Sequence, residues 1–302
     1  MDSDRLLLFF KSNYLYLICS FLYFILSGFL LGGRWWSFLF CFLFYIVSIF
    51  IALSPIGEWL MRVINNVRPV ETREEKDYLF PLFDDAYNTA KENFPGLPKV
   101  KLFIQDTMAV NACAINTHTV AVTKGAISTF SEEELKGVLF HEFAHIYYGH
   151  TTVKTFAIVG NGFLSVFVLI ARICYWLFDM INDPYKNKNT VNAFFALVST
   201  LGKLFFEIII WAFTFLFNLA FAVNNRGGEY VADRFAHKNG YGEDLISALY
   251  LLQKMSLGED SKLVSRMLAS HPRISKRIMT LENTLNENEY TSNREKTVTA
   301  SL

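Results

Sequence analysis

His141-Glu142-Phe143-Ala144-His145 decides how the rest of this chain is read. On an α-helix, residues four apart share a face, so both imidazoles can reach one metal ion. The glutamate between them suits a general base toward water. Three fixed letters are a weak signal alone, because an ordinary amphipathic helix with two surface histidines carries them too. Their context is stronger. Ser131-Glu132-Glu133-Glu134 matches a capping box, with Ser131 as N-cap and Glu134 at N3. Leu135, Val138, Leu139, Ala144 and Ile146 continue a helix, and Gly149 offers a stop. The spacing predicts a zinc-site helix and peptidase chemistry.

The chain has 302 residues, 52% hydrophobic, with 30 phenylalanines. Such a composition points to a membrane protein with one modest soluble part. A formal net charge of zero gives no sign of nucleic acid as a partner. Cys19, Cys41, Cys113 and Cys174 form no C-x-x-C, and three lie in apolar runs. Neither a disulfide frame nor a cysteine metal site is expected.

Four apolar runs organise the chain. Tyr14 to Gly32 and Trp35 to Leu53 form a transmembrane hairpin about the Gly32-Gly33-Arg34 turn, with Trp35 and Trp36 suited to an interface. The first run reads as a retained anchor, since no small-residue cleavage site follows it. Pro55 and Gly57 end the second. Thr155 to Phe178 is the third run, interrupted by Asn161 and Arg172. Ala193 to Val223 is the fourth, with its crossing placed near Leu204 to Val223. Arg172 and Glu207 fall near the same end of their spans, so they are expected to be neighbours or to share a polar pocket.

The soluble segments are 55–154 and 224–285; the hairpin is 14–53, the later spans 155–223, and 286–302 reads as a disordered tail. Thr72-Arg73-Glu74-Glu75 opens a helix toward Phe94 that contains Pro81. Val100, Leu102 and Ile104 alternate as in a strand. Met108 to Ile115 and Thr119 to Thr123 read as two further strands about an Asn116-Thr117-His118 turn. Arg62, Arg68, Arg73, Lys154, Arg226 and Arg234 flank the spans on the soluble side, against Arg34, Lys186, Lys188 and Lys203 on or near the other. That bias places the soluble part in the cytoplasm.

A catalytic zinc needs a third protein ligand and an open position. Glu229-Tyr230-Val231-Ala232-Asp233 is the best source, with Glu229 as ligand and Asp233 on the same helix face. Asp233 can then accept a hydrogen bond from a ligand histidine and fix its tautomer. A solvated acidic helix face is the plain alternative. His150 is a rival ligand, brought back only if Gly149 redirects the chain.

At this point the chain resembles the HtpX-type membrane metallopeptidases and, more distantly, the CAAX prenyl endoproteases. Four features match in order: Val110-Asn111-Ala112-Cys113-Ala114, which resembles an N-A-F-A segment; His141 to His145; Arg226 to Asp233; and Ser270-His271-Pro272 with Arg277-Ile278. Two spans before the catalytic helix and two after it also resemble that layout. The resemblance implies an α+β, zincin-like metallopeptidase domain with a small antiparallel sheet, joined to a four-helix transmembrane part. It implies one zinc ion held by His141, His145 and Glu229, with Glu142 as general base. It further implies quality control of misfolded or surplus membrane proteins in a bacterial inner membrane, with polypeptide substrates and the lipid bilayer as partners.

Three positions depart from the family pattern. Cys113 replaces an aromatic residue, Gly228 stands where a basic residue is common, and His150 stands where an aspartate is common. His271 and Arg226 are candidates for stabilising an oxyanion, although His271-Pro272 also fits an ordinary helix start. Asn111 and Ala112 are candidates for holding extended substrate backbone, against a local turn role for Asn111. His118 and His237 read as surface histidines. Two rival functions stay open: a prenyl-protein endoprotease, and a non-catalytic assembly protein with a structural zinc.

Overall fold

The computed structural model describes residues 3–30, 33–156, 158, 190–255 and 273–285. The chain divides into two compact units. One comprises residues 15–52 and 156–221; the other gathers 1–14, 53–155 and 222–302.

In the first unit, α1 (Ser3–Leu30) supplies its residues from 15 onward, and α2 (Trp35–Leu53) supplies those to 52. Among the described residues, α2 alone is long and apolar enough to cross a membrane. Gly33 turns the chain between the two helices at φ 65°. The helix α7 (Thr190–Lys238) runs unbroken for 49 residues and feeds both units. The third apolar run beyond residue 158, Arg172 and the C-terminal tail lie outside the described residues, as does the side chain of Glu207.

The second unit is an α+β domain. The helix α3 (Pro55–Ile64) starts on a Ser54 cap with proline in its first turn. Pro55 and Gly57, expected only to end a span, thus lie in the first turn of a further helix. Next come β1 (Val67–Pro69) and α4 (Arg73–Asn93), the latter opened by the Thr72–Glu75 capping box and continuous through Pro81. The strands β2 (Lys101–Gln105), β3 (Ala112–Ile115) and β4 (Thr119–Thr123) follow. After them stand α5 (Lys124–Thr129) and α6 (Glu132–Tyr147). After α7 come α8 (Gly242–Met255) and a last helical stretch over 274–285.

The sheet corrects one expectation. It is mixed, in the order β1-β2-β4-β3, not antiparallel. β4 pairs with β3 antiparallel and with β2 parallel, with Leu102 beside Val120 and Ile104 beside Val122. The reason is burial. Every residue of β4 is buried, so the strand needs a neighbour on each edge. The hairpin through Asn116, held at φ 50°, supplies one neighbour. β2 supplies the other, and the two chain reversals between β2 and β4 leave them parallel. β3 is also shorter than expected, beginning at Ala112, because Met108 to Asn111 belong to the connection from β2.

Helix α6 lies in the core, against α4 on one side and α8 on the other. Phe143 meets the rings of Phe83 and Tyr87 at 5.6 and 5.9 Å, and Phe140 stacks on Tyr241 at 4.4 Å. Gly137 lets α8 approach: a Cβ there would stand 2.9 Å from the backbone nitrogen of Leu245. The helix is therefore not a surface amphipathic helix, and its histidines are not surface histidines.

Candidate metal centre

The capping box at Ser131 starts α6 where the sequence placed it, with both reciprocal hydrogen bonds formed. Two and a half turns later, His141 and His145 project from one face. α7 brings Glu229 opposite them. The three side chains offer ligand atoms within 4.8 Å of one another. The closest approaches are 3.2 Å between the two Nε2 atoms and 3.4 Å from each to a Glu229 carboxylate oxygen. A tetrahedral zinc site has bonds near 2.05 Å, which sets ligand–ligand separations of about 3.3 Å. The residues present fit such an ion.

Around this trio lies a buried polar shell. Asp233, one turn beyond Glu229, has Oδ1 2.9 Å from His141 Nδ1. Arg277 donates to Asp233 at 2.6 and 2.9 Å and pairs with Glu229 at 3.0 Å. Asp233 and Glu229 are 2% and 3% exposed, so these charges are compensated by each other and not by water. Burial and Arg277 act to lower the pKa of His141. Hydrogen bonds to Asp233 and Glu229 outweigh them and push it up to about 9. Burial pushes Asp233 up, but Arg277 beside it and the His141 hydrogen bond bring it below the usual carboxylate range.

His150 stands on the other side of His145. Its Nδ1 lies 3.0 Å from His145 Nδ1, whereas the trio uses His145 Nε2. Gly149, at φ 75°, turns the chain back to place it there. Burial, then the charge of His145, pushes the His150 pKa down to about 3, so the ring is neutral. With His145 Nε2 free to ligate, its Nδ1 carries the proton and donates to His150 Nδ1. Gly228 makes room: a Cβ there would stand 3.1 Å from the His150 ring. Two of the three departures from the family pattern thus touch one another.

Glu142 faces a cavity of about 390 Å³ and accepts a hydrogen bond from the Ala114 backbone N–H at 2.6 Å. The free edge of β3 therefore faces the glutamate. Asn111 and Ala112 line the same cavity. The Asn111 backbone is tied to Thr123, donating to its hydroxyl at 3.0 Å and accepting from its N–H at 3.1 Å, while the residue is exposed. Leu245, Leu249, Leu252 and Ile274 make an apolar wall. Burial, then the Glu142 charge, raises the Cys113 thiol to about 11, which keeps it protonated. Arg226 is half-buried on α7 and is not among the lining residues; His271 lies outside the described residues. His118 is exposed and hydrogen-bonded to the Lys99 carbonyl; His237 is half-buried.

Sequence reasoning gave Arg277 no role. The available signal was indirect: two carboxylates buried on one helix face need a cation nearby.

Residues 83–285 match the model of peptidase family M48. A protein named protease HtpX homolog from Bordetella pertussis is 30% identical over 245 residues, covering 76% of this chain and 78% of that protein. A protein of the same name from Bacteroides fragilis is 26% identical over 250 residues, covering 74% and 73%. The crystal structure of S. mikatae Ste24p is similar at a TM-score of 0.47 and 20% identity, covering 93% of this chain and 66% of that one.

Proposed function

The chain belongs to peptidase family M48, and from that premise we propose that it is a multi-pass membrane zinc endopeptidase acting on misfolded or surplus membrane proteins. The carrying observation is the buried trio of His141, His145 and Glu229 at one end of a cavity that also holds Glu142. These three residues would hold the ion. When bound, zinc supplies Lewis acidity, which acidifies water and polarises a carbonyl.

The chain's own residues supply the rest. Glu142 takes the proton of the attacking water and passes it to the leaving amine. Its hydrogen bond from Ala114 aims the carboxylate along the β3 edge. Asp233 fixes the tautomer of His141, and Arg277 holds Asp233 and Glu229 in place. Extended substrate adds to β3, whose small Ala112 permits close approach, and the Asn111 side chain reaches its backbone. The apolar wall suits hydrophobic side chains, as expected of membrane-protein segments. Arg226 and His271 are held as candidates for the oxyanion.

A structural zinc is usually closed by four protein ligands. Among the described residues three gather, beside an open cavity, which favours catalysis. The reading has the soluble unit in the cytoplasm of a bacterial inner membrane, supported by the flanking positive charges and by α2.

The test is casein cleavage by purified wild type and Glu142→Gln, with and without a chelator, beside a farnesylated peptide. Cleavage of casein, lost in Glu142→Gln and on chelation, is expected. Casein cleavage that survives in Glu142→Gln would sink the mechanism, and cleavage confined to the farnesylated peptide would transfer the chain to prenyl-protein processing.

A further inference from the structure

Helix α3 is anchored on one face and bare on the other. Met61 packs with Phe103, Ile115 and Ala121 beneath the sheet. Glu58 is buried and accepts a hydrogen bond from Thr119 Oγ1 at 2.6 Å. The Arg62 guanidinium lies 4.9 Å from the centre of the Phe103 ring. Just past the helix, the Asn65 carbonyl accepts from Gln105 at 2.9 Å. These contacts reach β2, β3 and β4, so α3 and the sheet move as one.

The opposite face is apolar. Ile56, Trp59, Val63 and Ile64 are 65%, 58%, 55% and 57% exposed. Their spacing puts them on one stripe of the helix. Bare aliphatic and indole surface on a short, well-anchored helix calls for a covering partner. Chain continuity says which. α2 ends at Leu53, Ser54 caps α3, and α3 begins at Pro55. A helix of ten residues is about 15 Å long. Beginning two residues after an apolar span, it starts at the level where the bilayer meets water. Tryptophan favours that layer, and a helix lying there buries its apolar face into the headgroup and acyl boundary.

We propose that α3 is an interfacial helix whose Ile56, Trp59, Val63 and Ile64 stripe rests in the bilayer surface. It thereby holds the sheet, and with it the β3 edge of the cavity, at a fixed height beside the membrane. The cavity then takes polypeptide close to where it leaves the bilayer. The inference rests on the membrane reading of α2.

The test uses the full chain in phosphatidylcholine–phosphatidylglycerol vesicles, with the four native cysteines replaced and one nitroxide introduced at a time. Labels at Ile56→Cys and Val63→Cys report on the stripe. Phe50→Cys on α2 reports on the span, and Arg73→Cys on water. Power saturation with oxygen and with a water-soluble nickel chelate is read. Stripe labels favouring oxygen, like Phe50→Cys, are expected. Nickel access at the stripe matching Arg73→Cys overturns the proposal, as does dipolar broadening between stripe labels, which would mean a second copy covers the face. Nickel access at Phe50→Cys would instead defeat the membrane reading of α2.

A second measurement keeps the native cysteines. Ile56→Glu with Val63→Glu should leave casein cleavage in detergent unchanged. It should lower cleavage of a lipid-anchored peptide at least tenfold when the scissile bond lies near the bilayer, with recovery on a longer tether. Equal loss on both substrates, or on neither, overturns the proposal.

Discussion

Two adjacent glycines on α7 allow a controlled test of the histidine pair behind the metal site. A Cβ at Gly227 would meet nothing within 4 Å, whereas one at Gly228 would stand 3.1 Å from both Cε1 and Nδ1 of His150. Both positions lie inside a helix, so alanine gains about 0.8–1 kcal/mol of helix propensity at each. Gly228→Ala alone also forces the His150 ring to yield by a few tenths of an ångström. The ring has little freedom to do so. It is buried, hydrogen-bonded to His145 at 3.0 Å, and stacked on Tyr148 at 5.9 Å and 24°. Overpacking of this kind costs about 1–3 kcal/mol. Gly227→Ala should therefore stabilise the protein by about 1 kcal/mol, and Gly228→Ala should fall about 1–3 kcal/mol below it. The displaced His150 presses on His145, so Gly228→Ala should also bind metal more weakly, read by competition with a chelator. Adding His150→Ala to Gly228→Ala should remove part of the penalty, giving a non-zero coupling in the double-mutant cycle. Equal denaturation midpoints and equal metal affinities for the two alanine variants would refute the reasoning.

Glu142→Gln should retain one equivalent of metal while peptidase activity falls by about 10²–10⁴, the usual share of general acid–base catalysis. Glu229→Ala should lose both metal and activity; metal retained there but lost in His150→Ala would reassign the third ligand. Arg277→Met strands Asp233 and Glu229 without their guanidinium. Breaking a buried pair in this way costs about 3–5 kcal/mol, and a loss below about 1 in denaturation would disprove that role. The Arg68 hydrogen bond holds Glu75 down to about 2. Against an unfolded value of about 4.3, its stabilisation is present above that pH and is lost as pH falls through about 2. Arg68→Gln should flatten the stability–pH slope in that window, measured by denaturation between about pH 2 and 6.

Local features were legible in the sequence and long-range ones were not. The α6 helix could be read because its cap, period and histidine spacing all lie within 16 residues. Glu229 and Asp233 could be read because one helical turn separates them. The mixed sheet could not, since nothing in Lys101 to Gln105 says which edge of β4 it will take. α3 was hidden by an ambiguity in proline, which ends one helix and begins the next with equal ease. His150 reads in the sequence as a rival ligand and a departure from the family pattern; the left-handed Gly149 carries it past the ligand face to the far nitrogen of His145.

Arg277 shows how charge accounting recovers part of what spacing cannot. Glu229 and Asp233 are carboxylates at 3% and 2% exposure, and Arg277 is the guanidinium that pairs with both. One positive charge against two negative ones leaves an excess of one among side chains that are almost wholly buried. Such an excess is costly unless a cation or a proton offsets it. His141, pushed up to about 9 by hydrogen bonds to both carboxylates, records the same demand in a side chain. The carboxylates that offer a donor to a metal ion thus also create the demand for a positive charge beside them.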